Sequence, residues 1–178
     1  MSMLKFEARI IEINSWKVIL IPKNISSQYP SRGMVMASGM INDYSIILPL
    51  EPDGKGSHWF SLEDKIVKAL DLKVGDIVNV DLTSINQWIE PQVPIDIIER
   101  LKEDKLIEEW IDLTIKARWD WLRWIQSTKS PNTRTKRIDV MMSKLSKGDR
   151  RPCCFNRNIC TITEVSQSGV LLNEEVQH

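Results

Sequence analysis

The sequence predicts an α+β protein: a small closed β-barrel in the N-terminal half, then a C-terminal helical hairpin and a short tail. Three observations predict it. Apolar residues alternate with polar ones in short runs before residue 84, they recur every three or four positions after residue 94, and a stretch bearing Pro91 and Pro94 separates the two patterns. The expected organisation is a barrel over 1–84, a linker over 85–93, a helical segment over 94–149 and a Cys-containing tail over 150–178. A chain of 178 residues suits one domain or two small ones.

The strands follow in order. Leu4 to Ile13 alternates, with Phe6, Ala8 and Ile10 set against Lys5, Glu7 and Arg9, and turns at Asn14-Ser15. Trp16 to Ile21 is β-branched and apolar, and Pro22 ends it. A polar loop is expected from Lys23 to Arg32. Met34 to Gly39 and Tyr44 to Leu50 form a second pair about Asn42-Asp43, two residues that tolerate positive φ. Glu51-Pro-Asp-Gly-Lys-Gly56 reads as a turn, and His58-Trp-Phe60 leads to a helix over Leu62 to Leu70 with Ser61 and Asp64 as an approximate capping box. After a turn at Gly75-Asp76, Ile77 to Leu82 alternates as a further strand. Closing so many short strands into a barrel removes the edges they would otherwise expose.

The helices follow the linker. Pro94 suits the first turn of a helix over Ile95 to Glu103. Leu106 to Leu113 is amphipathic, with Ile107, Trp110 and Ile111 expected on one side. Thr114 caps a helix in which Ala117, Trp121, Trp124, Ile125 and Thr128 share an arc, while Trp119 and Leu122 occupy another, so this helix should pack on two sides. Ser130 and Pro131 start a helix to Lys147, stopped by Gly148, whose inner face reads Arg134, Ile138, Met141, Met142 and Leu145. In the tail, Cys160 to Val165 alternates and Val170 to Leu172 is a further candidate strand.

Charge narrows the function classes. Lys and Arg number 24, as do Asp and Glu, and that balance excludes a chain-wide basic coat for nucleic acid. The total hides an asymmetry. Residues 94–113 hold three basic and seven acidic residues, whereas 114–160 hold twelve basic and three acidic, with no Glu. Either the two blocks pack against each other, or the basic block is an interaction surface. No run reaches the ~18–20 apolar residues that span a bilayer, and the start Met1 to Arg9 lacks the order of a signal peptide. Three Cys, an odd number, make no disulfide framework, and a reducing cytoplasm is the expected location.

Candidate chemistry is sparse. Gly54-Lys55-Gly56-Ser57-His58 lacks the spacing of a phosphate loop, which leaves a backbone nest for an anion or a plain hairpin turn. His58 is expected to be a hydrogen-bonded structural residue, and no Ser/His/Asp or Cys/His pair is indicated by spacing, so no enzyme and no cofactor are expected. Cys153, Cys154 and Cys160 lack a Cys-x₂-Cys pair and a fourth ligand, and read as buried free thiols ahead of a metal or redox site. Trp119-Asp-Trp-Leu-Arg-Trp124 with Arg118, Arg123, Arg134, Lys136 and Arg137 interleaves rings and cations as single-stranded nucleic acid requires. The competing reading is core packing, with a buried Arg134 paired to Asp120.

These residues carry a resemblance. The second half resembles the bacterial YdeI/OmpD-associated, or bacteriocin-protection, family through Trp124-Ile125, Thr133-Arg134-Thr-Lys-Arg137-Ile138, Leu145 and Gly148. The first half is similar to a bacterial domain of unknown function commonly fused upstream of it, through Pro22, Arg32-Gly33, Gly39, Leu48-x-Leu50, Gly54-x-Gly56-x-His58 and Gly75-Asp76. Together the two cover roughly residues 4–150. The upstream resemblance implies a double-split barrel like that of AbrB-type regulators. Asn42-Asp43 departs from a turn that often holds Gly, and Gln87-Trp88-Ile89 departs before Glu90-Pro91. The resemblance brings no catalytic residues. The function expected is a non-enzymatic binding protein linked to stress or bacteriocin tolerance, taking a small anionic ligand or a protein partner in a groove between barrel and helices through Lys55, His58, Trp121, Arg134 and Arg137. The alternative is a nucleic-acid-binding protein.

Overall fold

A computed structural model describes residues 3–175 and divides them into two compact units. The start read for leader order includes Met1 and Ser2, and the second histidine is His178; these lie outside the described residues. One unit runs to Gln87 and includes Arg157–Cys160 and the segment from Glu164. The other comprises Trp88–Asn156 with Thr161–Thr163.

The first unit holds β1 (Leu4–Arg9), β2 (Ile11–Ile13), β3 (Trp16–Leu20), α1 (Lys23–Ser26), β4 (Val35–Ile41), β5 (Tyr44–Pro52), β6 (His58–Ser61), α2 (Asp64–Leu70) and β7 (Ile77–Ser84). The sheet order is β1-β7-β4-β5-β6-β3-β2, antiparallel throughout. It curls into a half-barrel, and the expected closure is not made by a ladder. The two end strands, β1 and β2, are consecutive in the chain and separated by Ile10 alone. One bent stretch therefore starts at one end of the sheet and finishes at the other. The bend is fixed where Ile10 N donates to Asp76 O (2.9 Å) and its carbonyl accepts from Gly75 N (2.8 Å).

The alternation read from sequence sets the inner face. Ile46, Leu48 and Leu50 of β5, Val78, Val80 and Leu82 of β7, and Val35, Ala37 and Ile41 of β4 meet Ile10, Ile19, Ile21 and Phe60 in one core. Burying each of the larger side chains contributes about 1.5–3 kcal/mol. The turn at Asn14-Ser15 places both residues at positive φ (45° and 68°), the geometry that matches the twist of flanking strands.

Three local expectations need correction. The loop after Pro22 contains the short helix α1. Ser61 does not cap α2: its backbone pairs with Val18 at the end of β6, and Glu63 stands at the N-cap without a side-chain bond. Cys160 to Val165 is irregular. The strand character lies further on, in β8 (Ser166–Gln167) and β9 (Val170–Leu171), joined through Ser168-Gly169 at φ 52° and 82°. This hairpin packs on the first unit, with Leu171 N donating to Asp53 O (2.9 Å). Beyond it, Glu175 N donates to Glu12 O (2.9 Å) on the end strand β2, and the Arg9 guanidinium grips Glu174 (2.7 and 2.8 Å), holding that carboxyl below its usual range.

The second unit holds α3 (Ile95–Glu103), α4 (Ile107–Asp112), α5 (Ile115–Gln126) and α6 (Pro131–Ser146). Both expected caps form: Thr114 Oγ1 accepts from Ala117 N (3.1 Å) and Ser130 Oγ from Thr133 N (3.2 Å). Gly148 ends α6 at φ 86°. The hairpin of α5 and α6 is part of a larger helical core, because α6 packs on α3 and α4 as well as α5. That core gathers Ile97, Leu101, Trp110, Trp121, Leu122, Ile125, Ile138, Met141, Met142 and Leu145. Ile111, expected inside, is 62% exposed, since six residues of α4 bury only the side that carries Trp110. Part of the expected linker is fastened to α5: Glu90 pairs with Arg118, Trp119 Nε1 donates to Ile89 O (2.6 Å), and Lys116 lies over the Trp88 ring.

Candidate functional site

The residues singled out from sequence fall into separate surroundings in the two units, and each is described within its own. In the first unit, the strand β6 delivers His58 into the interior, where it is 1% exposed. Its Nε2 faces the Gly33 carbonyl at 2.8 Å, which can only accept, so Nε2 carries the proton. Nδ1 then accepts from the hydroxyl of Ser26, 2.6 Å away and itself fully buried. Spacing gave no sign of this pair, whose members lie 32 positions apart. A serine donating to a histidine nitrogen has the outline of a nucleophile and its base. Here neither side chain reaches solvent, and the second ring nitrogen is committed to a backbone carbonyl, so the pair locks α1 and the following loop onto β6.

Neighbours reinforce that lock. The Tyr29 ring meets the imidazole edge-on at 5.9 Å, and its hydroxyl donates to Leu82 O (3.1 Å). Burial, with the Asp81 charge second, pushes the Tyr29 phenol up to about 12. Arg32 donates to the carbonyls of Ser26 (2.7 Å), Tyr29 (3.0 Å) and Gly56 (3.3 Å).

Burial holds the His58 pKa below its ordinary value, helped by the Arg32 charge and opposed by the bond to Gly33. The unfolded chain therefore binds this proton more readily than the folded one. Stability carried by neutral His58 is fully present above the unfolded value of about 6.5 and is lost as pH falls below it toward the folded value. Urea unfolding should show the midpoint falling with acid in that window. His58→Gln, where it folds, should remove that part of the slope; an unchanged slope would contradict the assignment.

Lys55 tops the turn between β5 and β6 and is exposed. The anion nest considered for this turn is already filled by the chain itself, since Asp53 Oδ1 accepts from Lys55 N (2.7 Å) and Ser57 N (3.0 Å). The plain-turn reading is what the geometry supports.

In the second unit, Trp121 is fully buried and donates from Nε1 to Arg150 O (3.1 Å). Trp124 stacks edge-on against it at 5.8 Å and is covered by the Arg137 guanidinium at 5.4 Å. Arg137 also donates to Trp124 O (2.6 Å) and Ser127 Oγ (2.8 Å), closing the C-terminal end of α5. Both Trp are thus packing residues. The partner expected for Arg134 was Asp120; it is Asp96 at the start of α3, bound at 2.7 and 3.2 Å. Asp120 is buried elsewhere in α5.

Asp96 is one of several links between the acidic and basic blocks. Arg150 reaches Asp112 (3.2 Å), and Arg100 of the acidic stretch reaches Asp139 of the basic one (2.7 Å). The reading in which the two blocks pack against each other accounts for these residues.

Other lysines are left outward. At about 100° per residue, Asn132, Lys136, Val140, Ser143 and Lys147 of α6 and its end fall in one stripe, and Lys129 stands in the turn just before the helix. These five and Lys129 are exposed, and none of the lysines has an ion-pair partner among the described residues, while Asp139, which borders the stripe three positions after Lys136, is engaged by Arg100 (2.7 Å). From Asn132 to Lys147 it runs about 22 Å. Lys129 and Lys147 are not among the residues singled out from sequence; helical spacing from Lys136 marks Lys147, whereas Lys129 lies before the cap and has no such signal.

The cysteines also part company. Cys160 is buried as expected, but Cys153 and Cys154 are exposed, which corrects their reading as buried thiols. Among the described residues no three His, Cys, Asp or Glu converge as metal ligands, and no helix is long and apolar enough to cross a membrane.

Residues 6–82 match the family described as a domain of unknown function, DUF1905, and residues 90–148 match the one described as bacteriocin-protection, YdeI or OmpD-associated. The two matches follow the order in which the resemblance places them. No curated protein matches the chain.

Proposed function

For a chain that joins a DUF1905 domain to a bacteriocin-protection, YdeI or OmpD-associated segment, we propose a non-enzymatic binding protein that takes an acidic protein surface along the lysine stripe of α6. The observation that carries it is that stripe: exposed Lys136 and Lys147 on one face of α6, with exposed Lys129 just before the helix and the bordering Asp139 already engaged by Arg100. A row of this length suits an extended acidic surface better than a small anion. Arg134 lies on another side of the helix in an exchangeable pair with half-exposed Asp96 and would add to the attraction. His58, buried with both ring nitrogens committed within the fold, is left out of the proposed binding surface.

A nucleic acid is the competing occupant, but Trp121 is buried and the partly buried Trp124 ring is covered by Arg137, which disfavours base stacking there. The reading places the protein in the bacterial cytoplasm, where three free thiols persist, with an AbrB-like barrel as its first unit and bacteriocin tolerance as the process served.

Fluorescence anisotropy with a labelled poly-glutamate peptide and a labelled duplex oligonucleotide, at low and moderate salt, tests this. The expected result is saturable binding of the peptide that weakens as salt rises. Tighter binding of the oligonucleotide would transfer the stripe to nucleic acid, and no saturable binding of either would remove the proposal.

A further inference from the structure

The segment after α6 carries two adjacent exposed thiols whose sulfurs lie 2.7 Å apart. We propose that Cys153 and Cys154 form a reversible dithiol/disulfide couple that exchanges with low-molecular-weight disulfides.

The pair is held in place from both sides. Pro152 and Phe155, which flank it, are buried, and Phe155 lies under the Arg123 guanidinium at 5.5 Å. Just upstream, Arg150 accepts from Trp121 Nε1 through its carbonyl and binds the Asp112 carbonyl through its guanidinium (2.5 Å). Between these anchors Cys154 adopts φ 61°, a conformation that costs a non-glycine residue energy and persists only where its surroundings impose it. Access, sulfur–sulfur contact and an imposed backbone thus coincide on one short turn. Cys160, the third thiol, is buried.

The proton inventory suits stepwise exchange. The Cys154 thiol is pushed up by its hydrogen bond to Cys153 and then by the charge there, while Lys144 pulls it down. The pair accordingly gives up one proton before the other. The first thiolate attacks one sulfur of a small disulfide, forms a mixed disulfide and expels the other half as a thiolate. The neighbouring thiol, after releasing its proton to solvent, attacks the protein-side sulfur and expels the second half. The protein dithiol is oxidised by two electrons, and the small disulfide becomes two thiols. Adjacent Cα atoms stand about 3.8 Å apart, shorter than the ~4.4–6.8 Å usual for disulfides, so the ring formed is strained and readily reduced. That makes a reversible couple and not a structural staple.

The test equilibrates the full chain in mixtures of reduced and oxidised glutathione, quenches with acid, alkylates and digests with trypsin. Cleavage after Arg150 and Arg157 isolates both cysteines on one peptide, because Arg151 precedes Pro152, and leaves Cys160 on another. As oxidised glutathione rises, that peptide should lose the mass of two hydrogens, and it should recover it in excess reduced glutathione. Cys153→Ser and Cys154→Ser, both at exposed positions, should instead each accumulate a glutathione adduct on the remaining cysteine. Adducts on both cysteines of the unmodified chain, pairing of either with Cys160, covalent dimers, or no change across the series would each overturn the proposal.

Discussion

Gly39→Ala is expected to destabilise the first unit by about 3 kcal/mol or more, near the upper end of what overpacking a core produces. Gly39 lies mid-strand in β4, paired with Ile46 of β5 on one side and Leu82 of β7 on the other. A Cβ built there overlaps the Asp81 carbonyl oxygen and presses on the Leu82 Cα. The obstacle is backbone in a central strand, which no rotamer change relieves, so β7 must shift out of register or away from β4. Against a net stability of about 5–15 kcal/mol for a natural domain, such a loss is a large share. Urea denaturation of the full chain, followed by a probe of β structure, reads it. A midpoint unchanged from the parent would show that β4 and β7 do not approach as closely as described.

Trp121→Ala is expected to cost the helical unit about 3–5 kcal/mol. The indole is fully buried in α5, packs edge-on against Trp124 and touches the chain after α6 through its bond to Arg150 O. Removing it leaves a cavity at the centre of a core that α3, α4 and α6 share. Trp121→Phe keeps most of the volume and loses only the N–H, and should cost about 1–2 kcal/mol, since Arg150 O can turn to water. Thermal melts of helical ellipticity should rank parent, Phe and Ala in that order. An Ala variant as stable as the parent would return Trp121 to the list of surface aromatics.

Most of the fold is legible in the sequence because its signals are local. Asn14-Ser15, Thr114 and Ser130-Pro131 act within three residues of themselves, and each does what its chemistry predicts. Alternation in β5 and β7 is read correctly because one face of each strand is buried. Ser61 shows how a local signal fails: a strand pairing claims its backbone before a helix can use its hydroxyl. Cys160 to Val165 shows alternation without a partner strand, which is not enough to make a strand.

The candidate site was less legible, because its bonds join distant positions. Ser26 reaches His58, and Arg134 reaches Asp96 across 38 positions, in preference to Asp120. Residue type says that His58 and Arg134 need partners, but only the packed chain supplies the names. The same applies to charge. Composition by segment reveals an acidic and a basic block, and the structure shows which cations, Arg134 and Arg150, the acidic block claims. Lys136 and Lys147 on the far side of α6 remain outward, where helical phase places them in one stripe, and Lys129 stands exposed just before the helix.

The most direct test of that stripe is charge reversal. The triple variant Lys129→Glu, Lys136→Glu, Lys147→Glu alters exposed side chains that make no ion pairs among the described residues, so its melting temperature should stay close to that of the parent. Its affinity for the poly-glutamate peptide at low salt should fall by about tenfold or more, since like charges now face each other. An affinity equal to the parent's, in a variant that melts normally, would contradict the account.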